Sequence, residues 1–255
     1  MSTNLKEIAT KLMGARRECM PIQAFSTTNP EFSLSEGYAV QSTLWEESHE
    51  PLAGYKMGLT SRAKQRDVNV HSAIRGFLLA SMEVTKGGVL DTSKRIHPRV
   101  EPELVVVLKK KLSGRDVTLR EVREAIQVVA PGLEILDSRY QDFSFKLPDV
   151  VADNTSASGF MVGSRNYLDC LDEVRLFGVT LKLNGEIRET GAPAAVLGDP
   201  LLSVVELVKS LAEEGKAVEP GMVILTGGIT AAVPFKKGDV VEVAWPGETL
   251  VFRAG

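Results

Sequence analysis

Apolar residues recur at helical spacing at the start of the chain, where Leu5, Ile8, Leu12 and Met13 fall on one face. A second helix is predicted over residues 36–50, EGYAVQSTLWEESHE. Between the two, Pro21, Thr27-Thr28-Asn29-Pro30 and Ser33 supply turn and cap chemistry. After Pro51 the pattern changes. Gly54-Tyr-Lys-Met-Gly58 reads as a short strand, and Thr60-Ser61 as a helix cap leading into RAKQRDV. From Gly76 onward β signals dominate, with a strong strand over residues 99–108, RVEPELVVVL. Residues 118–129 read as an amphipathic helix capped by Thr118, with Glu121 three residues later in a capping box. Pro131-Gly132 is expected to end that helix, and 133–136 to form a short strand. Asn184-Gly185 between two short strands signals a hairpin with a primed turn. A helix over 201–211 and strands over 222–225, 239–244 and 250–253 complete the pattern. The fold class this predicts is α+β: a mixed, strand-rich body over residues 76–255 joined to a small helical N-terminal region over 1–75.

Composition narrows the chemistry. The chain of 255 residues carries 30 basic and 33 acidic side chains, a net charge of -3, so nothing steers it toward nucleic acid. Two cysteines, Cys19 and Cys170, cannot build a disulfide scaffold or a four-cysteine zinc site, and three histidines without ligand spacing disfavour zinc or copper. The first residues lack the apolar core of a secretory signal, and no apolar run approaches membrane-spanning length; a soluble, cytoplasmic protein is expected. No Gly-x-Ser-x-Gly elbow is present, which disfavours serine hydrolase chemistry.

The acids carry the most information. In Val100-Glu101-Pro102-Glu103-Leu104, strand alternation points Glu101 and Glu103 to one face. The strand runs on into an apolar stretch, where two unpaired carboxylates are costly to bury. A hard divalent cation such as Mg²⁺ or Mn²⁺ resolves both problems. The plainer alternative is an edge strand with two solvated glutamates and Pro102 marking the edge. Glu134, set between Leu133 and Ile135, would add a third inward carboxylate, or would pair with an arginine such as Arg139. Lys56, bracketed by Gly54 and Gly58, is placed either to hold a carboxylate or a developing enolate, or simply in solvent. Asp153-Asn154-Thr155-Ser156 is a capped turn or a wall of ligand contacts, and Thr226-Gly227-Gly228 a tight turn or an anion cradle. His97 lies near the acidic strand and warrants at most a supporting role.

These segments occur in one order: KMGLTS from Lys56 to Ser61, Gly76-Phe77-Leu78, HPRVEPE from His97 to Glu103, LEILDSRY from Leu133 to Tyr140, Val151-Ala-Asp-Asn154, and TGGITAA from Thr226 to Ala232. Together they resemble the hydratase/decarboxylase branch of the fumarylacetoacetate hydrolase superfamily, over nearly the whole chain from Leu34. The runs 137–145 and 226–233 are its decarboxylase-like features. The resemblance implies a β-roll body and a Mg²⁺ or Mn²⁺ ion on Glu101, Glu103 and Glu134. It also implies a substrate site drawn from Lys56, Ser61, Phe77, Leu78, Asp153, Asn154, Ser156, Thr226 and Gly227.

The activity it implies is decarboxylation of the dicarboxylic keto acid 2-oxohex-3-enedioate, with Lys56, Glu101, Glu103 and Glu134 catalytic. Hydration of 2-oxopent-4-enoate on the same fold is the alternative; acylpyruvate cleavage and a non-catalytic scaffold role are more distant ones. Phe77, Phe143 and Phe145 are candidates for an apolar pocket around the leaving carboxylate, with core packing the other reading. A homo-oligomer and a complex with the pathway hydratase are also implied. One departure stands out: Arg75 precedes Gly76-Phe77, where relatives often carry an aromatic or acidic residue.

Overall fold

The computed structural model describes residues 5–61 and 73–255. The cap segment expected to lead from Thr60-Ser61 into RAKQRDV falls largely on residues 62–72, outside the described residues.

Helix α1 spans Leu5–Glu18 and buries Ile8, Ala9, Leu12 and Ala15, close to the stripe read from the sequence. A single turn, α2 (Phe25–Thr28), precedes α3 (Leu34–Ser48), which starts at a Ser33/Glu36 capping box and ends on His49 in the left-handed region. These helices pack around Phe32, Val40, Tyr140 and Ala152 in a small core of their own.

The body is two sheets. Strands β1 (Leu52–Gly58), β2 (Ile74–Leu79), β3 (Val89–Leu90) and β4 (Arg99–Leu108) come first. Then follow α4 (Leu119–Ala125), β5 (Ile126–Leu136), α5 (Leu147–Ala152), β6 (Ala157–Val162), the hairpin β7 (Val179–Leu183) and β8 (Glu186–Gly191), and α6 (Leu201–Ala212). Strands β9 (Val223–Gly228), β10 (Val233–Pro234), β11 (Val240–Trp245) and β12 (Glu248–Ala254) close the chain. The large sheet runs β2-β1-β9-β4-β5-β6 with β10 added to β4; the second runs β3-β12-β11-β7-β8. Strand β1 lies before the division expected at residue 75, yet it is hydrogen-bonded on both sides within the large sheet. The large sheet rolls up: Glu83, just after β2, bridges to Phe160 of β6.

Residues 118–129 depart from expectation. The Thr118/Glu121 capping box is present, but the helix stops at Ala125, and Ile126–Leu136 is a single eleven-residue strand paired along β4. Val128 and Val129 are β-branched, and pairing with β4 outweighs the short helical signal. Pro131-Gly132 is therefore mid-strand rather than a terminator, and a Cβ on Gly132 would lie 2.4 Å from the Val105 side chain. The Asn184-Gly185 turn is as expected, with both residues at positive φ.

Two faces of the large sheet have different fates. Tyr55, Met57, Leu104, Val106, Leu133, Ile135 and Ile224 pack toward the second sheet, with Leu181, Val241, Val243 and Phe252, in the main core. The opposite face, inside the roll, is filled by Leu78, Val105, Ala130, Phe160 and Leu225. Register places Lys56 beside Leu225, Leu225 beside Val105, and Glu134 beside both Glu101 and Phe160. The inner face is thus apolar at one end and charged at the other. That is where the site sits.

Candidate active site

Glu101, Glu103 and Glu134 converge inside the roll, each offering a carboxylate oxygen within 4.8 Å of the others. Glu103 and Glu134 are fully buried and Glu101 is 7 % exposed. The edge-strand reading of Pro102 does not hold: β4 is central, between β9 and β5. Proline is tolerated there because the Pro102 carbonyl accepts from Ile229 N–H beyond the end of the β9 ladder, so no bond to β5 is lost.

Lys56 is 2 % exposed, so it is no solvated strand lysine. Its Nζ lies 2.9 Å from Glu134 Oε2 and donates to the Thr155 carbonyl at 3.1 Å. Glu134 therefore meets Lys56, while Arg139 pairs with Asp153 instead. Three carboxylates and one ammonium leave an excess of negative charge in a dry place. Burial works against the Lys56 ammonium, but Glu134, Glu103 and Glu101 outweigh it and hold its pKa above the ordinary value. Burial first, then Glu134 and Glu101, drive Glu103 well above the usual carboxylate range, opposed by Lys56 and the Gly227 N–H. Glu134 is pushed up to about 7, again by burial, with Lys56 opposing and Glu101 adding to it.

Among the described residues, neither oxygen of Glu134 accepts a hydrogen bond of good geometry, and Glu103 Oε1 meets no donor. Three buried carboxylates facing one another, with more negative charge than Lys56 can answer, fit a hard divalent cation.

The supporting shell explains several glycines and one strained turn. Gly227, at φ 114°, donates its N–H to Glu103 Oε2 at 2.5 Å, so the anion this glycine pair cradles is the protein's own carboxylate. A Cβ on Gly228 would fall 2.2 Å from Glu101 Oε2, and one on Gly76 would fall 3.2 Å from Lys56 Cδ. Asn154, Thr155 and Ser156 all take positive φ, an unfavourable conformation for three consecutive non-glycine residues. That twist turns the Thr155 carbonyl onto Lys56, while Thr155 Oγ1 donates to the Arg75 carbonyl at 2.9 Å.

Of the other expected contacts, Asn154 clamps the Phe77 backbone, accepting from its N–H at 2.7 Å and donating to its carbonyl at 2.9 Å. Ser156 Oγ is buried without a partner among the described residues. Asp153 is locked to Arg139; burial pushes it up to about 6 against that guanidinium. Thr226 Oγ1 donates to the Leu104 carbonyl, Leu78 lies in the apolar floor, Phe77 is buried against it, and Ser61 is half-buried. Phe143 is flanked by His97, with ring centroids 4.7 Å apart, and by the Arg99 guanidinium at 3.9 Å; Phe145 packs on Tyr140. Arg75 is tied to Glu214 and, at 3.1 Å, to Ser210, and its guanidinium lies 4.5 Å from the Tyr38 ring centroid. Thr155, Gly76 and Gly228 stand in segments singled out from the sequence, but the hold of the Thr155 carbonyl on Lys56 was not legible there, because a backbone carbonyl leaves no signature.

Comparison with known proteins places this geometry. The Fumarylacetoacetate (FAA) hydrolase C-terminal family matches residues 59–251. A 4-oxalocrotonate decarboxylase of Pseudomonas putida is 40% identical over 245 residues, covering 94% of this chain and 92% of that one. A 2-oxo-hept-4-ene-1,7-dioate hydratase of Escherichia coli is 34% identical, covering 92% of each. The solved structure of 4-oxalocrotonate decarboxylase from Pseudomonas putida G7, complexed with magnesium and adipate, superposes with a TM-score of 0.95 at 40% identity, over 98% of this chain and 97% of that one.

Proposed function

Because the chain belongs to the fumarylacetoacetate hydrolase family, we propose that it decarboxylates 4-oxalocrotonate (2-oxohex-3-enedioate) to 2-hydroxypenta-2,4-dienoate and CO₂. The observation that carries the reading is the buried set of three carboxylates beside one ammonium, in a chain more similar to the decarboxylase than to the hydratase.

Glu101, Glu103 and Glu134 would hold a magnesium or manganese ion, which supplies Lewis acidity at the substrate's C1 carboxylate and C2 keto oxygen. Breaking the C5–C6 bond releases CO₂; its electron pair forms C4=C5, the C3=C4 pair moves to C2=C3, and negative charge arrives on the C2 oxygen, which takes a proton from water to give the 2-hydroxy product. Lys56, held as an ammonium by its acidic neighbours, adds positive charge where that charge grows. Glu134 and the Thr155 carbonyl fix its position, so Lys56 needs no reorganisation during the reaction. Leu78 and the Phe77 backbone, held by the Asn154 clamp, would form a wall that keeps water from the departing carboxylate. In this reading Ser61, Asp153, Ser156, Thr226 and Gly227 complete the substrate side: the free Ser156 hydroxyl as a contact, Asp153, Thr226 and Gly227 as supports.

The division at residue 75 would then separate roles only in part: the helices up to Ser48 form the helical region, while Lys56, on β1, already belongs to the sheet of the catalytic body. The family resemblance further implies a cytoplasmic homo-oligomer working in complex with the pathway hydratase. Among the described residues, no helix is long and apolar enough to cross a membrane. The test is CO₂ release from 4-oxalocrotonate with Mg²⁺, run beside hydration of 2-hydroxypentadienoate. CO₂ without hydration supports the assignment; hydration alone moves the chain to the hydratases.

A further inference from the structure

Outside the roll, at the seam where β2 and β6 meet under α1 and α3, lies a cavity of about 840 Å³. None of the three glutamates lines it, and neither does Lys56. The Asn154–Phe77 clamp stands in its wall, with Gly76 and Lys56 beyond.

Its walls are of two kinds. Leu12, Leu44, Phe77 and Leu79 are apolar. Facing them is an excess of positive charge. Arg139 is committed to Asp153 and to backbone carbonyls, Arg17 pairs with Glu18, and Lys94 with Asp91. Of the acids, the Asp137 carboxylate is taken by the N–H groups of Ile96 and His97, which leaves Glu50. Arg16 and Arg95 remain. Among the described residues, no hydrogen bond or ion pair joins the Arg16 guanidinium to a protein group. Arg95 uses its terminal nitrogens on the carbonyls of Asp91 and Ser158, and its buried Nε meets no acceptor among the described residues. Arg16 as a residue is solvent-accessible, but its head is crowded: desolvation, then the Arg139 and Arg95 charges, pull its pKa below the ordinary value. Two under-satisfied guanidinia across from an apolar wall recognise a molecule with an anionic head and an apolar body.

We propose that this cavity is a second binding site, separate from the carboxylate set, for amphipathic organic anions that seat their head between Arg16 and Arg95 and their body against Leu12, Leu44 and Phe77. The probe is 1-anilinonaphthalene-8-sulfonate, titrated by fluorescence into the Mg²⁺-loaded full chain, with octanoate and pyruvate as competitors. Saturable 1:1 binding is expected, displaced by octanoate but not by pyruvate, a small keto acid suited to the carboxylate set. Arg16→Gln, on a solvent-accessible helix position, and Arg16→Gln/Arg95→Gln are each expected to weaken binding about tenfold or more, since each loses a charge-assisted contact. CO₂ release and melting temperature should stay close to those of the parent. Undiminished affinity in the double variant, displacement by pyruvate, or non-saturating binding would overturn the proposal.

Discussion

Replacing Glu103 by Gln tests whether the site is built around a cation. Glu103 is completely buried and its Oε2 accepts the Gly227 N–H, a bond that the glutamine carbonyl oxygen can keep. What changes is charge. The three carboxylates lie within 4.8 Å of one another, and at an effective dielectric near 20 two unit charges at that distance repel by roughly 3–4 kcal/mol. Burial and these repulsions, only partly offset by Lys56, drive the Glu103 pKa well above the usual range, so folding the metal-free parent favours taking up a proton on Glu103, a cost that the glutamine does not carry. Without metal, Glu103→Gln should therefore melt at or above the temperature of the parent, the reverse of the usual outcome for a buried polar substitution. With Mg²⁺ the ranking inverts, because the parent gains binding energy on its folded state and the variant gains little. Turnover should fall at least about 100-fold, more than the loss of a mere outer-shell partner. The assay is thermal melting of both proteins in EDTA and in saturating Mg²⁺, with CO₂ release measured in parallel. Full activity of the variant in metal-free buffer, or marked destabilisation of the metal-free variant, would refute the reasoning.

Other substitutions separate the remaining parts. Lys56→Met should lower kcat about 10²–10³-fold, as for loss of one preorganised donor, while calorimetry shows Mg²⁺ bound at least as tightly, since a repelling charge is gone. Gly228→Ala pushes a methyl against the Glu101 carboxylate; that flexible end can swing aside, so metal affinity should drop about tenfold or more with little change in melting temperature. Glu248 joins the β11–β12 turn to the loop after β6. Burial disfavours its charge, but Lys86, the N–H groups of Ser164 and Arg165 and the Ser164 hydroxyl prevail and pull it down to about 2. A depressed folded pKa means stability that is present above about pH 4.5 and lost as pH falls toward 2. Because Lys86 is 45% exposed, Glu248→Gln should cost only roughly 1–2 kcal/mol at pH 7 in urea unfolding, and the gap should close in acid.

Strand alternation made the acids legible. Glu101 and Glu103 share a face because a strand has period two, and Glu134 opposes Leu133 and Ile135 for the same reason. What alternation cannot show is which strands become neighbours. The Lys56–Glu134 contact runs from β1 through β9 and β4 to β5, so no local pattern predicts it, and the partner the sequence suggested for Glu134, Arg139, is claimed by Asp153. The strand β5 was split into helix, turn and strand because the Thr118/Glu121 cap, Pro131 and Gly132 are all real local signals; only the pairing with β4 shows that the helix ends after Ala125 and that Pro131 is tolerated mid-strand. Glycine told half the story at 227–228. It suggested an anion cradle, but the anion that the Gly227 N–H meets is an internal carboxylate.

Local rules are broken here in one small region, and that concentration bears on function. Carboxylates sit in apolar strands, a lysine is fully enclosed, three consecutive non-glycine residues are left-handed, and Gly228 gives way to a glutamate carboxylate. Each feature opposes folding taken singly. They are tolerated because the rest of the large sheet is conventionally packed: Tyr55, Met57, Leu104, Leu133 and Ile135 fill the opposite face, and Leu78, Val105, Phe160 and Leu225 floor the site. The stability those residues supply is what lets mutual repulsion persist at the mouth of the roll, and a bound cation relieves that repulsion. It follows that a substitution in the floor, such as Leu225→Ala, should weaken the metal-free protein most and be partly rescued by Mg²⁺, because the same free energy balances packing against charge. Equal destabilisation with and without Mg²⁺ would show that the two are not linked.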